Sequence, residues 1–317
     1  MAIFANTYTS YDAKGNREDL ADVIYNISPE DTPFLTMAKR DKANAVLTEW
    51  QTDTLASPNT SNAVLEGDEA TADSRTPTTR VGNYCQISRK VIVVSGTQEV
   101  SDKAGRKSEL AYQLSKASAE LKRDVESIIF SNQGAVSGST TVARKTGSLL
   151  AFLKTNTSYG TGGANPTWTN IPTGTRTDGT TRSFTEALLK TAIVSVYSQG
   201  GTPRVLMVPP AQKQVASTFA GIAQIRFNAE GVKPATIVGA ADIYVSDFGN
   251  VEIVPNRYMR SRDAVVLDPK YCAVAYLRPF KQEPLAKTGD AEKRMCLVEW
   301  ALKIGNEAAH GIIADLS

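Results

Sequence analysis

Residues 53–80 constrain the fold more than any other stretch. They are mostly Thr, Ser, Asp, Asn and Pro, with few apolar residues. A polar connection of roughly thirty residues is rare inside a compact domain. It carries Glu66, Asp68, Glu69 and Asp73, then Arg75 and Arg80. Such a composition buries too little apolar surface to order itself. Two readings fit, disorder or an extended loop ordered by partners, and we favour the second. A cation site at Glu66, Asp68 and Glu69 is outweighed by a solvated acidic loop.

The flanks support that choice. Val46-Leu47-Thr48-Glu49-Trp50-Gln51-Thr52 alternates as a strand. From Tyr84 to Ser95, Cys85, Ile87, Arg89, Val91 and Val93 share one side, and Gln86, Ser88, Lys90, Ile92 and Val94 the other. Both faces are mixed, so the two segments read as a two-stranded ribbon without a core of its own. An isolated ribbon is barely stable in water. It is expected to lie on something else, often a neighbouring subunit.

Before the ribbon, residues 1–45 read as an arm. Leu20, Val23, Ile24 and Ile27 suggest a short amphipathic helix stopped by Pro29. Asp31-Thr32-Pro33-Phe34-Leu35 predicts a cap, a Pro at the first helical position and a helix to about Arg40. After the ribbon comes the strongest helix, over 106–131. Leu110, Leu114, Ala117, Leu121, Val125 and Ile128 recur at three- and four-residue steps, which gives a length of about 40 Å.

Ser183-Phe184-Thr185-Glu186 reads as a capping box. It opens a helix with Leu188, Leu189, Ala192, Ile193, Val196 and Tyr197 inward, closed by Gly200-Gly201. Arg204–Val208 follows as a buried strand, and Pro209-Pro210 starts a helix to about Phe219. Further strands are expected at Ile243–Ser246, Val251–Val254, Ala264–Leu267 and Cys272–Leu277. In the final strand Cys296, Val298, Trp300, Leu302 and Ile304 oppose Met295, Leu297, Glu299, Ala301 and Lys303. Helix-strand-helix units and several strands make this second region α+β.

Composition narrows the function. The chain has 317 residues, a net charge of +2 and one histidine, His310. Ser-His-Asp and Cys-His chemistry, or a zinc site with two imidazoles, would all need that one side chain. The balanced charge is unlike a dedicated nucleic-acid binder. Cys85, Cys272 and Cys296 are odd in number and widely spaced, which suits reduced thiols. No apolar run reaches the roughly twenty residues of a membrane helix, and Met1–Asn6 has no signal-peptide pattern.

Gly160-Thr161-Gly162-Gly163 lacks the Gly-Lys-Ser/Thr ending of a phosphate loop and reads as a plain turn. Glu299 reads as a salt-bridged sheet residue, and His310 as structural. No catalytic, cofactor-binding or metal-binding residue is assigned.

The order of parts is specific: arm, long two-stranded loop, long helix, α+β domain, long final strand. It resembles the Hong Kong 97-type fold of tailed-phage major head proteins. Asn83-Tyr84-Cys85-Gln86-Ile87-Ser88-Arg89-Lys90, running on to Val94-Ser95-Gly96-Thr97, is similar to the returning strand of the extended loop in one branch. Leu267-Asp268-Pro269, Tyr276-Leu277-Arg278-Pro279-Phe280, Leu285–Asp290 and Asn306-Glu307 resemble that branch's C-terminal signature.

The resemblance implies a structural protein, not an enzyme, that assembles into hexamers and pentamers of an icosahedral shell around double-stranded DNA. It implies an N-terminal arm at 1–45 and an extended loop at 46–97. A peripheral domain would comprise 98–145 and 276–317, and an axial domain 146–275. Trp50, Glu66, Asp68, Glu69, Arg75, Arg80 and Arg89 are the candidate intersubunit contacts. Beyond itself, the implied partners are a separate scaffolding protein, a portal protein and weakly contacted DNA, with a decoration protein left open. The setting is the virion, assembled in the host bacterial cytoplasm. Residues 53–80 hold no Lys, so no isopeptide network is expected from the loop tip. A tail-tube or decoration subunit, and a cytosolic α+β enzyme, are the competing readings.

Overall fold

In the computed structural model the described residues are 31–69, 72–102, 105–219 and 243–317. The segment expected to be helical at Leu20–Ile27 lies outside them. The chain opens with α1 (Pro33–Met37), β1 (Lys39–Lys42), β2 (Leu47–Thr52), β3 (Thr79–Tyr84) and β4 (Gln86–Ser95). Helices α2 (Gly96–Val100), α3 (Glu109–Ile129) and α4 (Leu149–Phe152) follow, then β5 (Asn156–Ser158), α5 (Glu186–Ser198), β6 (Val205–Val208) and α6 (Pro210–Ala216). Last come β7 (Ile243–Ser246), β8 (Gly249–Pro255), β9 (Ala264–Leu267), β10 (Cys272–Pro284), β11 (Ala291–Ile304) and β12 (Gly311–Ile313).

Helix α3 is the spine. Leu110, Leu114, Ala117, Leu121, Val125 and Ile129 form its buried seam, with Ile129 taking the place expected for Ile128. Its 21 residues span about 32 Å, less than the 106–131 expectation, because Ser108 caps it. The Ser108 hydroxyl accepts from the Ala111 N–H at 3.2 Å. The Glu99 carboxylate accepts the next two orphan donors, from Glu109 and Leu110 at 3.0 and 3.1 Å.

The seam rests on a four-stranded sheet ordered β1-β10-β11-β4. β10 and β11, at 13 and 14 residues, outrun the expected strands. The alternation in β11 aims Cys296, Val298, Trp300, Leu302 and Ile304 into the main core. Trp300 is fully buried, and its Nε1–H donates to Ser88 Oγ at 3.3 Å.

Two expectations about the N-terminal half need correcting. The strand ending at Ser95 is not the ribbon's second strand. β2 pairs instead with β3, Trp50 opposite Val81. The chain then bends at buried Cys85, whose N–H donates to Val46 O at 2.7 Å, and β4 joins β11 antiparallel. β3 was hidden because Thr79-Arg80-Val81-Gly82-Asn83-Tyr84 reads as the end of a polar loop. Its anchor is tertiary: buried Asn83 donates to the Gly147 and Leu302 carbonyls at 3.0 and 2.9 Å and accepts from the Gly147 N–H at 2.7 Å.

The second correction concerns α1, which stops at Met37 rather than Arg40. Ala38 turns extended, and the charged run Lys39–Lys42 pairs parallel with the start of β10.

A second, six-stranded sheet runs β5-β12-β9-β6-β8-β7. It holds its own core with α5, centred on Leu189, Ile193, Val196, Leu206, Tyr244 and Ile313. The α5 cap is Thr185, two positions later than expected, its hydroxyl accepting from the Leu188 N–H. Glu186 therefore sits in the first turn, where it accepts from Tyr244 Oη at 3.0 Å and pairs with Lys190 at 2.9 Å. Tyr197 points outward and stacks on Phe248 at 4.6 Å. The two sheets share the chain unevenly. β4, from the 46–97 stretch, belongs to the four-stranded sheet, and β12, from 276–317, to the six-stranded one.

Candidate functional site

The ribbon projects its long connection away from both cores. At its end, Thr52 and Thr79 join hydroxyls at 2.7 Å, and Thr78 donates to Gln51 Oε1 at 3.2 Å. Beyond that, the described residues of 53–78 form only local turns: the Ser61 N–H on Asn59 Oδ1 and the Asp68 N–H on the Leu65 carbonyl. Leu55 is 99% exposed, Val64 78% and Leu65 82%. Three large aliphatic groups standing in water on one loop is the pattern of an interaction surface rather than a finished fold.

The candidate contacts divide. Glu66, Asp68 and Glu69 are exposed along the loop. Arg75 lies 4.0 Å from Asp73, with both side chains open to water, and Arg80 lies 3.7 Å from Glu49 across the ribbon. Arg89 is exposed on β4. Trp50 is different. It is half-buried, its ring 6.1 Å from that of Phe152, and it packs on the main core. This tryptophan seats the ribbon on its own subunit.

One surface escaped the sequence reading. The four-stranded sheet turns Ile87, Val91 and Val93 away from α3, each about half exposed. Register places Met295 beside Val91, Lys293 beside Val93 and Leu297 beside Arg89. The face is therefore apolar with basic edges. The signal was the alternation itself: with Ser88, Lys90, Ile92 and Val94 committed to the helix side, the Ile/Val set had to point outward.

The polar groups with chemical potential are already engaged. Glu299, nearly buried, meets Arg144 at 2.6 Å and Arg278 at 2.7 Å, as expected of a salt-bridged strand residue. His310 is fully buried. Its Nδ1 accepts the Asp268 N–H at 3.2 Å, which leaves the proton on Nε2, 4.0 Å from Cys272 Sγ. Burial pushes the imidazole down to about 4 and the thiol upward. The pair is thus neutral and out of reach of solvent, and carries neither a nucleophile nor a base.

The glycine-rich turn is filled from within. The Gly160 and Gly179 N–H groups each donate to the Asp315 carboxylate at 3.0 Å, and Arg262 Nη2 adds a bond at 2.6 Å. Among the described residues no cluster of His, Cys, Asp and Glu could hold a metal. No described helix is long and apolar enough to cross a membrane.

The sequence model of the SU10 major capsid protein family matches residues 5–317. The chain belongs to that family. A major capsid protein of Escherichia phage Phieco32 is 29% identical, over 96% of this chain and 96% of the relative. In fold, this capsid subunit is similar to the cyanophage A-1(L) capsid protein, with a TM-score of 0.63 at 12% identity over 97% of this chain and 98% of the other. It is equally similar to the capsid protein of a native GTA particle, with a TM-score of 0.64 at 10% identity over 97% and 98%.

The fold is the Hong Kong 97 type, α+β as expected. The protein is a phage major capsid protein, a structural component of the virion with a non-enzymatic role. The tail and enzyme readings fall away, and the neutral His-Cys pair and the arginine-bound Glu299 are parts of a wall.

Proposed function

We propose that this capsid protein assembles into hexamers and pentamers of an icosahedral head around double-stranded DNA, each subunit laying its 53–78 loop on a neighbour. The observation that carries the reading is the exposure of Leu55, Val64 and Leu65 on a loop with no core of its own. Covering each such side chain contributes about 1.5–3 kcal/mol, which recurs at every copy of the contact. Glu66, Asp68 and Glu69 meet basic groups of the neighbour, and Arg75, Arg80 and Arg89 acidic ones. Exposed ion pairs are weak, about 0–1 kcal/mol each, so they set register more than strength.

The four-stranded sheet with α3 serves as the peripheral domain, drawn from 98–145 and 276–317 with β4 added. The six-stranded sheet of 146–275 serves as the axial domain, with β12 added. Residues 1–45 form an arm that reaches neighbouring subunits. A separate scaffolding protein directs closure in the host cytoplasm, and a portal protein occupies one vertex. The net charge of +2 suits a container, since strong phosphate binding would hold the packaged DNA fast.

Negative-stain microscopy of the expressed protein, alone and with its scaffold, tests the assembly. Closed shells tens of nanometres across are expected; rods or small monodisperse particles refute it. Reversing the charge of Glu66, Asp68 and Glu69 together is expected to cut shell yield while leaving the subunit's melting temperature unchanged. Shells at normal yield sink that assignment.

A further inference from the structure

Glu126 is a carboxylate in an unusual place. It lies on α3, fully buried, and among the described residues no Lys or Arg pairs with it. Burial pushes its pKa up, opposed by the hydrogen bonds it accepts. Its partners come from two other parts of the chain. Oε1 accepts the Phe34 N–H at 2.9 Å and Asn256 Nδ2–H at 2.7 Å, and Oε2 accepts the Leu35 N–H at 3.0 Å.

The first two N–H donors belong to the opening turn of α1, which has no cap of its own: the Thr32 side chain makes no capping bond. Glu126 therefore supplies, from 92 and 91 residues away, the acceptor that an N-cap side chain normally provides. In return, the Phe34 and Leu35 N–H groups, with the Asn256 amide, compensate the buried carboxylate.

Asn256, the third partner, is itself fully buried and fixed. Its N–H donates to Val208 O at 2.8 Å, and its Oδ1 accepts the Tyr258 N–H at 2.9 Å. Those contacts hold the ends of β6 and β8 in the six-stranded sheet. One side chain thus ties the arm root, the spine helix and the second sheet together.

Phe34 is buried edge-on against Phe130, with centroids 5.4 Å apart. On the side facing β6 and β8, a groove of about 590 Å³ opens between Pro33, Thr36 and Met37 and Val205, Met207 and Val254. α1 is held by Phe34 in the main core, with Leu35, Met37 and Ala38 packed beside it, and by the Glu126 carboxylate at its first turn, while β1 beyond it is held separately by β10.

We infer that Glu126 is a latch: lifting α1 strips Glu126 of two of its three donors and breaks its bond to the Asn256 amide, so the arm root and the joint between α3 and the six-stranded sheet move as one unit. An uncompensated buried carboxylate is costly, so on losing the Phe34 and Leu35 N–H groups Glu126 turns toward the water that replaces α1, and the bond to Asn256 goes with it. A pull on the arm would then change how the spine helix meets the second sheet.

Hydrogen–deuterium exchange on the unassembled full-length subunit tests the coupling. Phe34→Ala removes the ring without touching Glu126, and Glu126→Ala removes the latch itself. Both are expected to speed exchange of residues 34–38 about tenfold, the loss of hydrogen bonds to a charged group. Both should also speed exchange at Met207–Val208 and Asn256–Tyr258, while β12 stays protected. Glu126→Gln, which keeps shape and one acceptor, should fall between wild type and Glu126→Ala and guards against outright misfolding. If Phe34→Ala opens the arm while the Asn256 segment exchanges as in wild type, the latch is overturned. The same holds if Glu126→Gln leaves residues 34–38 as protected as before.

Discussion

Strand β11 and the 53–78 loop belong to one chain and solve opposite problems. Along β11 from Cys296 to Leu302 every side chain is buried. One face enters the main core, and Glu299 on the other is matched by two arginines. In the loop, every described residue from Asp53 to Thr78 is exposed, the leucines included. The strand's side chains are covered within the subunit, whereas those of the loop stand in water. With the loop as the proposed assembly surface, stability and assembly would reside in different residues, and each is expected to be removable without the other.

The largest effect comes from removing the loop. Replacing residues 55–76 by a short Gly-Ser linker is expected to leave the melting temperature within about 2 °C of wild type and to abolish shells under the microscope. A subunit that unfolds on losing the loop, or that still closes shells, would break the comparison from one side or the other.

The reverse experiment sits in β11. Trp300→Ala opens a large cavity between α3 and the sheet and is expected to cost about 3–5 kcal/mol, read from urea unfolding of the unassembled subunit. Adding scaffold should not restore it, because the defect lies inside the subunit. Leu65→Ala, the matching truncation on the loop, should leave the urea midpoint unchanged.

How much of this was legible follows from the same division. Elements with one buried face announced themselves. α3 did so through its Leu110–Val125 stripe, β11 through strict alternation, and β6 and β9 as short apolar runs. The loop was legible as a region that could not fold alone.

What sequence could not give were elements held by distant partners. β3 depends on Asn83 reaching Gly147 and Leu302, β1 is a charged run drawn into a sheet edge by β10, and α1 is capped by Glu126 from the spine. The outward face of β4 was missed for the same reason, since its inner face is defined only once α3 lies on it. The candidate contacts on the loop were proposed from composition and stand exposed. Trp50 alone needed the structure to show that it faces its own core.

The finest test uses pH, where the folded body should respond and the loop should not. Burial pushes His310 down to about 4 from an ordinary 6.5. The unfolded chain takes up that proton first, so this stability is complete above pH 6.5 and is lost as pH falls toward 4.

Asp263 does the opposite. It is fully buried: burial raises its carboxyl to about 6 from 3.8, and Arg260 and Arg176 pull only partly against that. The folded chain takes up this proton first, so stability is gained as pH falls from 6 toward 3.8 and is absent above. Between pH 6 and 4 the two oppose each other, each on the order of 3 kcal/mol.

Asp263→Asn removes the counterweight, and its urea midpoint should fall more steeply than wild type from pH 6.5 to 4.5. His310→Gln should flatten or invert that slope. The loop-deleted subunit should trace the wild-type curve throughout. Parallel profiles for all of these proteins would show that the opposition does not exist, and a shifted profile for the loop deletion would show that the loop bears on the fold after all.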